Sequence, residues 1–190
     1  MRIGLLFGTF NPVHTGHTII ASYMAEFTNL EEVWMVVSPH NPLKPVDSLL
    51  EENHRLQMVN LAIGGHKKIK ASQVEFDLPK PSFTINTLKH LAEQHPQNEF
   101  TIIIGTDNLE IFKQWKSHED ILTNYEIYVY PRLKSDGGEL INHPKIKLID
   151  APVIEISATF IRKCIKEKKD VRFMLPEKVF EYIREKHFYE

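Results

Sequence analysis

Two histidines, His14 and His17, stand three positions apart in the run Gly8-Thr9-Phe10-Asn11-Pro12-Val13-His14-Thr15-Gly16-His17. On the first turn of a helix, that spacing projects both imidazoles from one face. Such a pair can donate hydrogen bonds to the oxygens of a phosphate chain, or it can consist of ordinary surface or capping residues. Zinc binding is a poorer account, because no third Cys, His or carboxylate stands at a recognised spacing. A second candidate lies far downstream, in Ile156-Ser157-Ala158-Thr159-Phe160-Ile161-Arg162. Ser157 is suited to cap a helix. Thr159 and Arg162 are then spaced to turn a hydroxyl and a guanidinium toward one anion, beside the exposed amides of the helix start. Taken alone, the same segment is a capped helix with a surface arginine.

Side chains that address phosphates need a scaffold that aims them. In an open parallel sheet, ligands collect at the carboxyl ends of the strands. Helix N-termini there offer unpaired N–H groups and the positive end of the helix dipole. Short apolar runs rich in β-branched residues predict strands over Ile3–Phe7, Val33–Val37, Phe100–Ile104 and Ile127–Tyr130, with weaker ones near Ile69–Ala71 and Ile146–Ile149. Runs without polar alternation imply strands covered on both faces. Between them, Ile19, Ile20, Tyr23, Met24 and Phe27 repeat at helical spacing. Leu56, Val59, Leu61 and Ile63 form another helix ended by Gly64-Gly65, and Leu88 and Leu91 mark a third that stops near Pro96. Helices are also expected over Thr159–Lys168 and from Pro176 as first helical residue through Val179, Phe180 and Ile183. Alternating strands and helices predict a doubly wound, Rossmann-like α/β fold: a parallel sheet with helices on both faces and a C-terminal helical extension of the same domain. In that frame the histidine run is a strand-to-helix turn. Gly8 lets a ligand approach the strand end, Asn11-Pro12 shapes the turn, and Gly16 removes a side chain beside the helix start.

Composition sets the outer limits. The 190 residues are 42% hydrophobic and 25% charged, which suits one folded domain and excludes wholesale disorder. The net charge of -2 argues against a global basic field for nucleic acid or an anionic membrane surface. No stretch approaches the ~20 apolar residues of a membrane helix, and no signal-peptide core is visible after Arg2. One cysteine, Cys164, cannot form an intrachain disulfide, in keeping with a reducing cytoplasm. The loops from Ser38 to Glu51 and from Tyr130 to Pro144 are long and rich in Pro, Gly, Asp and Asn, as lids or mobile surface would be.

The segment from Gly8 to His17 resembles the signature of the HxGH nucleotidyltransferase superfamily, and Ile156, Ser157, Thr159 and Arg162 match its second phosphate motif, ISxTxxR. Many relatives have a second Ser where this chain has Ala158. The resemblance implies that His17 stabilises charge at the α-phosphorus of ATP with His14 assisting. It also implies that Gly8, Thr9, Phe10, Gly16, Ile156, Ser157, Thr159 and Arg162 form the rest of the phosphate site.

Further segments are similar to bacterial nicotinate-nucleotide adenylyltransferases. Pro39-His40-Asn41-Pro42-Leu43-Lys44-Pro45 looks like that family's basic, proline-rich segment and implies contact of His40 and Lys44 with substrate phosphates, although it also reads as a stiff exposed loop. Pro81-Ser82-Phe83-Thr84 resembles a PSYT motif with Phe in the Tyr place. It puts Thr84 at or near a helix N-terminus that could receive a nicotinate carboxylate; alternatively Ser82 or Thr84 is an ordinary cap. Gly105-Thr106-Asp107 resembles a GxD segment with its acid near the nucleotide ribose, unless Asp107 merely caps the next helix. Trp115 matches the position of a ring-stacking Trp, whose face suits a pyridinium. Lys116 follows where some relatives have Tyr, leaving a backbone N–H to donate.

The implied reaction joins ATP and nicotinate mononucleotide into nicotinate adenine dinucleotide with release of pyrophosphate, in NAD biosynthesis. Mg²⁺ would arrive with the ATP phosphates rather than on a protein metal site. Phosphopantetheine adenylyltransferase shares both phosphate motifs and is the close rival, but it has no reason to keep Trp115 with Pro81-Ser82-Phe83-Thr84. A nucleotide-binding module without chemistry is the rival from another class. Homo-oligomerisation stays open.

Overall fold

The computed structural model describes residues 1–39 and 49–190, so His40 and Lys44 lie outside the described residues. Among the described residues six parallel strands form one sheet: β1 (Arg2–Gly8), β2 (Glu32–Val37), β3 (Ile69–Ser72), β4 (Glu99–Gly105), β5 (Glu126–Tyr130) and β6 (Ile146–Leu148). Each predicted strand is present, with ends displaced by a residue or so. The order in the sheet is β3-β2-β1-β4-β5-β6. After β1 the chain builds outward on one side, and β4 returns to β1's other side. The order reverses there, which makes the carboxyl ends of β1 and β4 the natural ligand crevice.

The helices are α1 (Thr15–Phe27), α2 (Glu52–Ile63), α3 (Thr84–Gln94), α4 (Thr106–Glu110), α5 (His118–Asn124), α6 (Ala158–Lys166) and α7 (Glu177–Glu185). Side-chain alternation in the sheet sorts them onto two faces. Leu6 of β1, Val33, Met35 and Val37 of β2, Ile103 of β4 and Tyr128 of β5 face one core, covered by α1, α2, α6 and α7. Ile3 and Leu5, Val36, Phe100, Ile102 and Ile104, and Ile127 and Val129 face the other, covered by α3, α4 and α5. Buried alternation toward two apolar layers is why these strands read as continuous apolar runs. The C-terminal helices belong to the first of these cores through Ile161, Cys164, Val179 and Ile183.

Local signals set several boundaries. Gly64 ends α2 in the left-handed conformation, φ 55°, as its lack of a Cβ allows. Pro176 is the N-cap of α7 rather than its first helical residue, one position from the expectation. The short helices α4 and α5 carry too few apolar repeats to announce themselves. The loop after β5 holds a 3-10 turn over Gly138–Asn142.

One side chain ties the strand ends together. Arg55 of α2 is 1% exposed. Its Nε donates to Leu50 O at 2.8 Å, Nη1 to Thr9 O and Ser38 O at 2.7 Å each, and Nη2 to Pro39 O at 2.9 Å. Burial pushes its pKa down, yet a guanidinium remains charged in proteins, so these carbonyls take the place of water. The turn after β1, the end of β2 and the approach to α2 are thereby held as one body. Replacing Arg55 by Met should cost about 3–5 kcal/mol, because several buried acceptors lose their donor at once. Urea unfolding would measure it, and a loss below about 1 kcal/mol would show that the carbonyls find other partners.

Candidate active site

At the carboxyl ends of β1 and β4 opens a cleft of about 340 Å³. Its walls bring together Gly8, Thr9, Phe10, His14, Gly16 and His17 from the first turn, Gly105 and Asp107 from the end of β4 and α4, Ile156 and Ser157 before α6, and Ser82, Thr84, Trp115 and Lys116. Residues separated by most of the chain thus share one space. Thr159 is exposed on α6 and does not line the cleft. Arg162 is half-buried behind the first turn, where its Nη1 donates to Asn11 O at 2.8 Å. One donor of the Arg162 guanidinium is thus engaged by the backbone of the first turn.

The histidine pair is stacked, ring centroids 3.7 Å apart and 25° from parallel. His14 is the N-cap of α1, and its amide donates to Nδ1 of His17 at 3.2 Å. That bond makes Nδ1 an acceptor and leaves the ring proton of neutral His17 on Nε2, as a donor. Phe10 meets the His17 ring edge-on at 5.0 Å. Its own ring is 2% exposed and belongs to the core, although the residue also lines the cleft. A Cβ at Gly16 would lie 3.0 Å from His14 Nδ1, so the glycine makes room for the imidazole at the helix start. A Cβ at Gly8 would press on the Phe10 ring at 2.9 Å, so the space at the strand end is already partly taken by the chain's own phenyl group.

His14 is 4% exposed. Burial first, and then the positive charge of Arg132, lower its pKa to about 4. It is therefore neutral at physiological pH, and its Nδ1 has no hydrogen-bond partner among the described residues. A neutral imidazole offers a hydrogen bond and a surface for stacking, and it adds no charge.

At the α6 end, Ser157 caps the helix by accepting from Phe160 N at 3.2 Å, as expected. Asp107 is the second residue of α4 and does not cap it. Its Oδ1 instead accepts from Asn108 at 3.3 Å and lies 3.9 Å from Arg132 Nε, with the carboxylate about half exposed toward the cleft. At the opposite end, Thr84 is the first residue of α3, after Phe83 as N-cap, and neither Ser82 nor Thr84 supplies a side-chain cap. Trp115 packs on Phe112 at 5.0 Å with its ring on the cleft wall. The Lys116 ammonium sits 4.6 Å from the centre of the Phe83 ring, a cation–π contact that joins the Thr84 and Trp115 segments.

Two charged side chains of the cleft, Arg132 and Glu75, lie outside every motif of the sequence. Arg132 follows β5, donates its amide to Thr106 Oγ1 at 2.9 Å and its Nη1 to Ile154 O at 3.1 Å, and places a positive charge between the first turn and Asp107. Its position just past a strand end was the available signal. Glu75 is 1% exposed and accepts from Thr87 Oγ1 at 2.7 Å, and burial raises its pKa. It sits in an irregular loop, where no local pattern foretells burial.

Comparison with known proteins gives a consistent result. A family model described as cytidylyltransferase-like matches residues 5–164. The probable nicotinate-nucleotide adenylyltransferase of Flavobacterium johnsoniae is 54% identical over the full length of both chains. That of Bacteroides thetaiotaomicron is 43% identical over 97% of this chain and 92% of its own. In fold, the chain is similar to the Plasmodium falciparum nicotinic acid mononucleotide adenylyltransferase solved with NaAD, with a TM-score of 0.86, 22% identity, and coverage of 99% and 97% of the two chains.

The neutral state of His14 has a cost in acid. In the unfolded chain this histidine takes up its proton near pH 6.5, whereas in the fold it does so only near 4. The associated stability is complete above 6.5 and is lost as pH falls toward 4, by at most about 3 kcal/mol. Urea unfolding at pH 7 and pH 4.5 should show that loss, and His14→Asn should remove most of the difference. An equal acid loss in the variant would assign it to other groups.

Proposed function

Because the chain belongs to the nicotinate-nucleotide adenylyltransferase family, we propose that its cleft brings the 5′-phosphate of nicotinate mononucleotide to the α-phosphorus of ATP, giving nicotinate adenine dinucleotide and pyrophosphate on the route to NAD. The observation that carries this reading is the meeting of the histidine turn with Thr84 and Trp115 in one cleft at the strand-order reversal. A site for a triphosphate alone would have no use for the second group.

A phosphate monoester is already nucleophilic near neutral pH, so neither a covalent intermediate nor a strong base is required. An oxygen of the acceptor phosphate attacks the α-phosphorus, the bond to the bridging oxygen breaks, and pyrophosphate leaves with the electron pair. What the protein supplies is position and charge stabilisation. His17 donates through Nε2 to the phosphate oxygens as negative charge shifts. Neutral His14 holds the His17 ring by stacking and by the bond from its amide. The backbone of Gly8, Thr9 and Phe10, the amides at Gly16 and at Ser157, and Ile156 border the triphosphate. Arg162 acts from behind the turn through Asn11, and Thr159 stands at the rim of α6. Arg132 adds a cation at the same end. Gly105 and Asp107 take the ribose hydroxyls. Trp115 stacks on the pyridine ring, Ser82, Thr84 and the Lys116 amide address its carboxylate, and His40 and Lys44 reach for the acceptor phosphate.

Among the described residues, no group of three His, Cys, Asp or Glu is placed to chelate an ion. The donors at the phosphate end are imidazoles, amides and guanidinium groups, a set that complements a triphosphate already carrying Mg²⁺. The ion, when bound, neutralises charge on the departing pyrophosphate. Among the described residues no helix is long and apolar enough to cross a membrane. One domain over 1–190 acting on two small nucleotides in the cytoplasm, without nucleic acid, completes the reading.

Pyrophosphate release in the presence of ATP and Mg²⁺ should be fast with nicotinate mononucleotide and should fail with phosphopantetheine. The reverse preference would overturn the assignment. His17→Ala should lower kcat by about 100-fold or more through loss of a transition-state donor. Its stability should fall by only about 1 kcal/mol, the cost of the lost first-turn bond. Trp115→Ala should raise the KM for the mononucleotide about 10-fold with little change in the KM for ATP, from the loss of one stacking contact. Equal changes in both constants would remove the stacking role.

A further inference from the structure

Asn11 joins parts of the chain that the catalytic reading leaves unconnected. It is 4% exposed, lies in the turn between β1 and α1, and lines the cleft. Its backbone oxygen accepts from Arg162. Its side-chain Oδ1 accepts from the Tyr189 hydroxyl at 2.7 Å and from the Leu50 amide at 3.3 Å. Tyr189 follows α7 and is 178 residues from Asn11 in sequence.

The route that brings Tyr189 there is an aromatic cluster between α2 and α7. Phe188 packs on His54 at 4.9 Å and on Tyr182 at 5.8 Å, and His54 Nδ1 is 2.9 Å from the Tyr182 hydroxyl. The Tyr189 ring lies 6.2 Å from that of Phe188. Two residues at this junction hold the left-handed conformation that side chains with a Cβ avoid: Phe10 at φ 46° and Tyr189 at φ 68°. One of them immediately precedes Asn11, and the other carries the group bonded to it. Strained backbone persists where surrounding contacts over-determine it, and such places concentrate at functional sites. Burial keeps the Tyr189 phenol protonated well above the usual range. The hydroxyl is therefore a donor at any working pH.

We propose that Tyr189 is a positioning residue for the triphosphate turn: its hydroxyl, bonded to Asn11 Oδ1, holds the turn in the form that presents His14 and His17. Arg162 secures the same residue through its backbone oxygen, and Arg55 secures Thr9 two positions earlier. The bond from Tyr189 reaches the turn through a side-chain acceptor and a neutral donor, and at 2.7 Å it is shorter than the 3.3 Å bond from the Leu50 amide to the same oxygen. The proposal rests on the reading that ATP phosphates occupy this turn.

The test compares the wild-type chain with Tyr189→Phe, Asn11→Ala and the double variant. The affinity for an ATP analogue is measured by calorimetry, kcat/KM for each substrate by pyrophosphate release, and Tm by thermal unfolding. Tyr189→Phe keeps the ring and its packing and removes only the donor. It should weaken analogue binding and lower kcat/KM for ATP by about 10-fold, the scale of one buried hydrogen bond. The KM for the acceptor should stay within about 2-fold, and the double variant should be no worse than Asn11→Ala alone, as expected of two residues acting through one bond. Unchanged analogue affinity in Tyr189→Phe, additive losses in the double variant, or equal losses for both substrates in step with Tm would each overturn the proposal. A wild-type chain that binds the analogue but turns over no mononucleotide would refute the proposed function instead, and the calorimetric comparison would still decide the role of Tyr189.

Discussion

A guanidinium taken out of water has to find acceptors in every direction its donors point, and Arg55 finds them in the backbone of the turn after β1 and at both ends of the connection between β2 and α2. The strand ends of a parallel sheet cannot rigidify themselves: each strand stops, its last carbonyls point outward, and the chain must turn into a helix. A fan of fixed N–H donors placed among those carbonyls makes a defined rim from two loose strand exits and the lead into a helix. Everything attributed to the cleft depends on that rim keeping its shape. The histidine turn, the end of β2 and the lead into α2 would otherwise vary independently, and donors that must meet a developing charge cannot be reorganised at the moment of reaction.

The electrostatic design follows from burial as much as from charge. His14 sits so deep that its proton is expelled, and it serves as a neutral support for His17. The His17 ring is in turn oriented by a backbone amide that fixes which nitrogen bears the proton. Positive charge enters the site from the periphery, through Arg132 on the wall and Arg162 behind the turn. The other end of the cleft is built differently, with Trp115 leaning on Phe112 and Lys116 lying over Phe83, so that apolar surface and one helix start replace the imidazoles.

The six strands, the main amphipathic helices and their two-sided burial could be read from periodicity, because a residue's preference for strand or helix and for apolar company is carried locally. The Gly8-to-His17 run and the Ser157 cap were legible for the same reason: a strand exit, a turn and a helix start occupy consecutive positions. The bond of Arg162 to Asn11 O was not legible, since helical spacing alone says nothing about which distant neighbour takes a guanidinium donor. Arg55 stands in α2 beside polar neighbours, and no local pattern marks it for burial. Glu75 and Arg132 lay in loops with no repeating pattern, and Tyr189 stood in a tail with none.

By itself, then, the amino-acid order determined which segments would be strands and helices, which depend on contacts among near neighbours in the chain, and its motifs carried the resemblance to the family. Tertiary structure alone decided which distant groups share a proton, a carbonyl or a wall: the expulsion of the His14 proton, the carbonyls gathered by Arg55, and the approach of Tyr189 to Asn11. Desolvation and hydrogen-bond partnership are properties of a place in space, and that place exists only after the sheet has brought the strand ends side by side.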